Sequence, residues 1–166
     1  MKLLVPSLLS VAMLGACAVT PPALVANSTI AARSGSSVSG NVSLSEINGG
    51  LRINAQLSGL TPGEHGFHIH EVGDCSAPDA SSAKGHFNPA NKSHGHHDSD
   101  NHHGGDMPNL LANAQGEARL TADLKGLMLK DVIGRSFVVH ADPDDYKSQP
   151  AGNSGKRVAC GVIATS

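Results

Sequence analysis

The chain has 166 residues, enough for one domain around a single core and too few for two. Charged residues make up 16% and aromatics 2%, with one tyrosine and no tryptophan, so a core must come from Val, Ile, Leu and Ala. The formal net charge is −2 and no basic run occurs, which argues against a nucleic-acid surface, whereas ten histidines are a clear excess.

At the N-terminus, Lys2 precedes an apolar run to Leu14 and small residues before Cys17. That is the pattern of a secretory signal peptide, too short and too weakly flanked for a spanning helix. Leu14-Gly15-Ala16-Cys17 resembles a bacterial lipobox, in which the cysteine becomes the lipidated first residue. Gly15 is a less usual residue there, and a competing cleavage near 23–26 would discard Cys17. Residues 1–16 therefore read as signal peptide, 17–27 (with Pro21-Pro22) as a lipid-anchored tether, and 28–166 as the domain. The reading places the protein in a bacterial periplasm, held to a membrane through Cys17. Without Lys2 the chain carries 11 basic and 14 acidic groups, a net charge of −3.

Strand periodicity then takes over. Val38, Gly40, Val42 and Leu44 alternate with polar residues, as do Leu51, Ile53, Ala55 and Leu57. Asn48-Gly49-Gly50 between them is hairpin-turn chemistry, and Thr61-Pro62-Gly63 suits a type II turn. His65 to His70 reads as the next strand. From Glu71 to about Asn109 periodicity stops, and a loop of that length in a small domain points to function or disorder. Strand signals return at Glu117–Leu124, Ser136–His140 and Val158–Ile163, with a second long loop from Ala141 to Lys156. No amphipathic helix of convincing length is present. The expectation is all-β: a Greek-key β-sandwich or barrel of about eight antiparallel strands carrying two long functional loops.

The histidines divide by spacing. His68 and His70 are two apart in a strand, so the pleat turns both to one face, where they can grip one ion. His65 has the opposite parity and reads as a structural histidine bonded to backbone. His86, His94, His103 and His140, with Asp106, add enough ligands for a second ion. Nitrogen-rich ligation suits copper and zinc, and three imidazoles with one carboxylate suit tetrahedral zinc. Within His94–Asp106, residues His96, His97 and His102 exceed these needs and read as a solvated or metal-scavenging fringe.

Several motifs in order resemble copper,zinc superoxide dismutase, in its bacterial exported form. They are G-F-H-I-H-E-x-G-D-C at Gly66–Cys75, H-F-N-P at His86–Pro89, and the His94, His103, Asp106 spacing. V-V-H-A at Val138–Ala141 and G-N-S-G-K-R-V-A-C-G-V-I at Gly152–Ile163 continue the series. The resemblance runs from roughly Ser28 to the C-terminus. It implies one copper per chain on His68, His70, His86 and His140, and one zinc on His86, His94, His103 and Asp106. His86 then bridges both ions. It implies a Cys75–Cys160 disulfide, which leaves Cys17 free for lipid, and gives Asp144 the role of linking a copper histidine to a zinc histidine. Asp142 and Asp145 compete for that last role. Arg157 matches the family's active-site arginine. The chain departs from the family around the disulfide, where Cys75 follows His70 by five residues and Asp79–Lys84 is inserted before His86.

The implied reaction converts two superoxide anions to dioxygen and hydrogen peroxide by cycling between Cu(II) and Cu(I). Catalysis would fall to His86, coupling proton to electron, and to Arg157, drawing in the anion, with Lys147 or Lys156 as possible helpers. The rival from another class is an exported lipoprotein that stores copper and zinc without turnover. The surplus histidines favour that rival, and Arg157, which a store does not need, opposes it. A second rival, a relative that lost its chemistry, should lack ligands, and none is missing. Monomer and homodimer both remain open.

Overall fold

The computed structural model describes residues 25–165; the signal-peptide and Cys17 readings lie outside the described residues. Ten strands form a single antiparallel sheet that curls almost into a barrel. In chain order they are β1 (Val25–Ala32), β2 (Ser39–Ile47), β3 (Gly50–Ser58), β4 (Gly63–His65), β5 (Phe67–His70), β6 (Leu110–Ala112), β7 (Ala118–Lys125), β8 (Ser136–His140), β9 (Arg157–Val162) and β10 (Ala164–Thr165). Two breaks, at Gly66 and Ile163, separate β4 from β5 and β9 from β10, so the ten are eight continuous runs. The order β4-β6-β7-β3-β2-β1-β9-β8-β5 ends on the two halves of one run. That is how the sheet closes: Gly66, the hinge between them, donates its N–H to Asp142 and accepts from His140. Sequential neighbours are broken at β3–β7, β1–β9 and β8–β5, as Greek-key crossovers require.

The core follows the pleat. Val42 and Leu44 of β2, and Leu51, Ile53, Ala55 and Leu57 of β3, are buried while their neighbours face outward. The β2–β3 hairpin pairs Ile47 with Gly50, leaving Asn48-Gly49 as a two-residue loop with Gly49 at φ 80°. Aliphatic residues fill most of the interior, but two of the three phenylalanines are also fully buried. Phe67 and Phe137 stack 5.2 Å apart at its centre, facing away from the histidine side of β5. The two long loops fall at 71–109 and 141–156, as the pattern of the sequence predicts.

The start of the domain is a correction. β1 begins at Val25, inside the stretch read as tether, and pairs with β2 from Val25↔Ser45 onward. Its inward residues are Ala26, Ser28 and Ile30, too small and too polar to raise a strand signal. They fit because the sheet is tight there: a side chain on Gly161 would collide with Ser28 and Ile30. Strand β6 was also absent from the sequence pattern, being only three residues long. Among the described residues, no helix is long and apolar enough to cross a membrane.

Cys75 and Cys160 are bonded, at a sequence separation of 85. They join the first long loop to β9 and pack with Ala80, Ala83 and Val138. Closing a loop of that length removes about 4 kcal/mol worth of freedom from the unfolded chain. Cys75→Ser should therefore lower unfolding stability by a few kcal/mol under oxidising conditions. A urea midpoint equal to that of the oxidised parent would show that the bond contributes nothing.

Candidate metal centre

Strand β5 carries the site. Phe67 and Ile69 point into the core, so the pleat turns His68 and His70 to the other face, and all four are buried. The first long loop lies along β5: Phe87 donates to Ile69 O, Ile69 to Gly105 O, and Gly105 to Phe87 O. These bonds set His86 beside His70 and Asp106 beside His68. Gly105 needs to be glycine, since a Cβ there would strike the Ile69 carbonyl. His140 ends β8, where the register with β9 shifts between Val139 and His140. Such irregularities re-aim a side chain, and this one brings His140 to the same centre.

Two groups result, with the membership that the sequence predicts. His68, His70, His86 and His140 can each offer a ring nitrogen, all within 4.8 Å of one another. His86, His94, His103 and Asp106 do the same, so His86 belongs to both. All seven residues are buried.

In the first group, His68 Nδ1, His70 Nε2, His86 Nε2 and His140 Nε2 are buried without any hydrogen-bond partner. The opposite nitrogen of each ring is engaged: His68 by Asp144 at 2.8 Å, His70 by Lys84 O at 2.9 Å, His86 by Asp106 at 2.8 Å, His140 by Gly155 O at 3.4 Å. A partner on one nitrogen fixes the tautomer and leaves the other as a bare lone pair. Four such lone pairs converging in one place fit a nitrogen-seeking cation. Burial holds His68 down at about 4, and holds His70 and His140 well below the usual imidazole range. They are therefore neutral at physiological pH, the state in which an imidazole can bind a metal.

In the second group, four of the six ligand–ligand distances are close to the edges of a zinc tetrahedron. Asp106 Oδ1 lies 2.8, 3.0 and 3.4 Å from Nδ1 of His86, His94 and His103, and the Nδ1 atoms of His86 and His103 are 3.4 Å apart. Zinc bonds of roughly 2.0–2.1 Å give edges of about 3.3 Å. Asp106 Oδ2 is taken by the N–H groups of His103 and Gly95, at 2.8 and 3.1 Å, which leaves Oδ1 for an ion. Burial opposes the charged carboxylate, but hydrogen bonds from His86, His94 and the His103 amide outweigh it and hold Asp106 well below its usual range.

Of the three aspartates that compete for the linking role, Asp144 takes it. Its Oδ2 meets His68 Nε2 at 2.8 Å and its Oδ1 meets His94 Nε2 at 2.9 Å, so one carboxylate ties the two groups together. Asp145 instead bonds Ser148 and Asn153, while Asp142 closes the barrel through its backbone. His94 sits between Asp106 and Asp144; burial disfavours its charge, but both carboxylates overcome this and raise it to about 9. Gly152 lies against the pair at φ 64°, and a Cβ there would collide with Asp144 and His94.

Several supports were not evident from the sequence. Asn109 and Asp144 exchange bonds, side chain to backbone in both directions, at 2.9 and 3.0 Å. Gln149 clamps His94 by accepting from its N–H and donating to its O, both at 2.8 Å. The inserted Asp79–Lys84 segment forms a short 3-10 turn whose carbonyls do two jobs: Lys84 O orients His70, and Ala80 O accepts from Arg157 Nη1 at 2.8 Å. His65 stands outside both groups, its nitrogens 2.8 Å from the carbonyls of His140 and Thr61, a backbone-bonded structural histidine as its parity implies.

Residues 38–163 match the sequence model of the copper/zinc superoxide dismutase family. The chain belongs to that family. It is 45% identical over 134 residues to superoxide dismutase [Cu-Zn] 1 of Aquifex aeolicus, covering 75% of this chain and 79% of that one. Superoxide dismutase [Cu-Zn] of Caulobacter vibrioides is likewise 45% identical, over 75% of this chain and 77% of its own. Among solved structures, a double mutant of a SOD-like protein from Bacillus subtilis superposes with a TM-score of 0.76 at 38% identity, over 83% of this chain and 96% of the other.

Asp144→Ala should weaken zinc retention roughly 10–100-fold, since both groups lose the carboxylate that orients them. Competition against a chelator, with zinc counted per chain, measures it. Retention equal to the parent would remove Asp144 from the site.

Proposed function

We propose that this chain is a superoxide dismutase, with copper at His68, His70, His86 and His140 and zinc at His86, His94, His103 and Asp106. The observation that carries the reading is the convergence of four buried, unpartnered imidazole nitrogens beside a zinc-sized tetrahedron that shares His86. Bound copper supplies a centre that takes an electron from one superoxide and returns it to another, while zinc supplies fixed charge without redox change. The balance is two superoxide anions and two protons giving one dioxygen and one hydrogen peroxide.

The chain's own residues do the rest. The mature protein is net negative, so an anion is drawn by a local field and not by the whole charge. Arg157, at the start of β9, provides that field: its charge bears on His70 and His140, lowering both. Its Nη1 bond to Ala80 O holds the guanidinium plane in place. Burial lowers Arg157 itself, and the nearby carboxylate of Asp79 offsets part of this. Lys156 lies beside it in an open surface pocket that Asp79 and Gly155 also line. His86 Nε2 is the atom in this centre suited to hold a proton, because its Nδ1 faces the zinc group beside Asp106.

The remaining part of the reading concerns place. We propose an exported protein, cut before Cys17 and anchored by lipid on that residue to a membrane facing the periplasm. Support comes from the Leu14-Ala16 run before Cys17 and from cysteine use: Cys75 and Cys160, the other two cysteines of the chain, are bonded to each other.

Arg157→Ala should slow superoxide consumption about tenfold at low ionic strength and flatten its salt dependence, with both metals retained. Unchanged kinetics would rule out a guiding role. Mass spectrometry of the mature N-terminus should find a diacylglyceryl-modified Cys17; a first residue beyond Ala23 would end the lipid proposal.

A further inference from the structure

His96, His97 and His102 belong to neither buried group. We propose that His96, His97 and Asp98 form a third metal site, an open surface site that holds a zinc ion exchangeably on the rim of the loop carrying His94 and His103. Each offers one ligand atom, and these lie within 4.8 Å of one another. Asp98 Oδ2 is 3.5 Å from His97 Nε2 and 4.0 Å from His96 Nδ1. The two rings lie 4.2 Å apart, and Tyr146 meets the His96 ring edge-to-face at 4.7 Å, which holds it toward its neighbour.

A second observation points the same way. His97 Nδ1 is buried and has no hydrogen-bond partner, although the other nitrogen of that ring faces Asp98. His97 therefore has a ring nitrogen that no protein group satisfies, as the buried histidines of the first group do. His96 Nδ1 accepts only the exposed Asp98 amide, at 3.2 Å, and a cation can displace that bond because water can take over the amide.

The donor set selects the ion. Two imidazoles and one carboxylate suit zinc, whereas calcium and magnesium demand oxygen. Ligand separations of up to 4.8 Å exceed the roughly 3.3 Å edge of a zinc tetrahedron, so the set must draw in by about 1.5 Å at most. The side chains are free to do so, with Asp98 76% and His96 46% exposed. Three protein ligands leave a position for water, which makes the ion exchangeable where the buried group, with four, is closed. Gly95 alone separates His94 from His96, and its N–H donates to Asp106, so the ion would sit two residues along the chain from a buried ligand.

The proposal concerns metal count and not turnover, so it stands or falls apart from the dismutase reading. Protein with both buried groups filled by copper and zinc is titrated with zinc chloride in a calorimeter. The parent should bind one further equivalent, and the double substitution His96→Ala, His97→Ala should lose it while dismutase activity and the two resident metals are unchanged. Asp98→Asn, a milder change at an exposed carboxylate, should weaken that equivalent at least tenfold, and it decides the matter if the double variant disturbs the loop. No further equivalent in the parent, survival of it in the double variant, or parent-like affinity in Asp98→Asn would each overturn the site.

Discussion

Four imidazole lone pairs, buried and pointed at one another with nothing in the polypeptide to satisfy them, are the constraint on which the rest of this structure depends. A buried polar atom without a partner costs about 1–3 kcal/mol, and a domain has only about 5–15 kcal/mol of net stability. Four such atoms in one place cannot be an accident of packing. They persist because each ring is held from behind by Asp144, Lys84, Asp106 or Gly155, so no ring can turn its bare nitrogen toward solvent without losing a bond. The centre is preorganised by bonds on the far side of its ligands.

The barrel makes that possible by dividing β5 into two faces. One face gives Phe67 and Ile69 to the core; the other gives His68 and His70 to the candidate metal centre. The strand sits at an end of the hydrogen-bonded path, and the first long loop covers its free edge through Phe87 and Gly105. The same contact that protects an exposed edge delivers His86 and Asp106. Covering that edge and building the centre therefore rest on the same contacts, and the Cys75–Cys160 bond fixes the start of that loop against β9.

What the sequence revealed and what it hid follow from the same physics. Strands β2, β3 and β7 were legible because apolar residues, Leu or Val among them, alternate with polar ones. Strand β1 was not, since Ala26 and Ser28 are small and their burial depends on Gly161 across the sheet. The ligands were legible because only a few residue types bind metal, and their order and spacing restrict the choice. Their supports were hidden for the opposite reason. Lys84 and Ala80 act through backbone carbonyls, which any residue possesses, and Asn109 and Gln149 reach partners 35 and 55 residues away.

The Asp79–Lys84 segment, which the sequence reads as an insertion, supports the candidate site through its backbone. Ala80 and Lys84 take positive φ, 57° and 65°, a backbone shape that non-glycine residues adopt at some cost. Ala80 and Ala83 are fully buried against Cys160 and Val138, and this packing together with the disulfide holds the turn. The turn then presents one carbonyl to Arg157 and another to His70. A lysine at 157 could supply the charge, but not a planar fork pinned by one N–H with further donors in the same rigid frame. The segment thus fixes two neighbouring groups at once, the guanidinium of Arg157 and the ring of His70, whose free nitrogen faces the candidate metal centre.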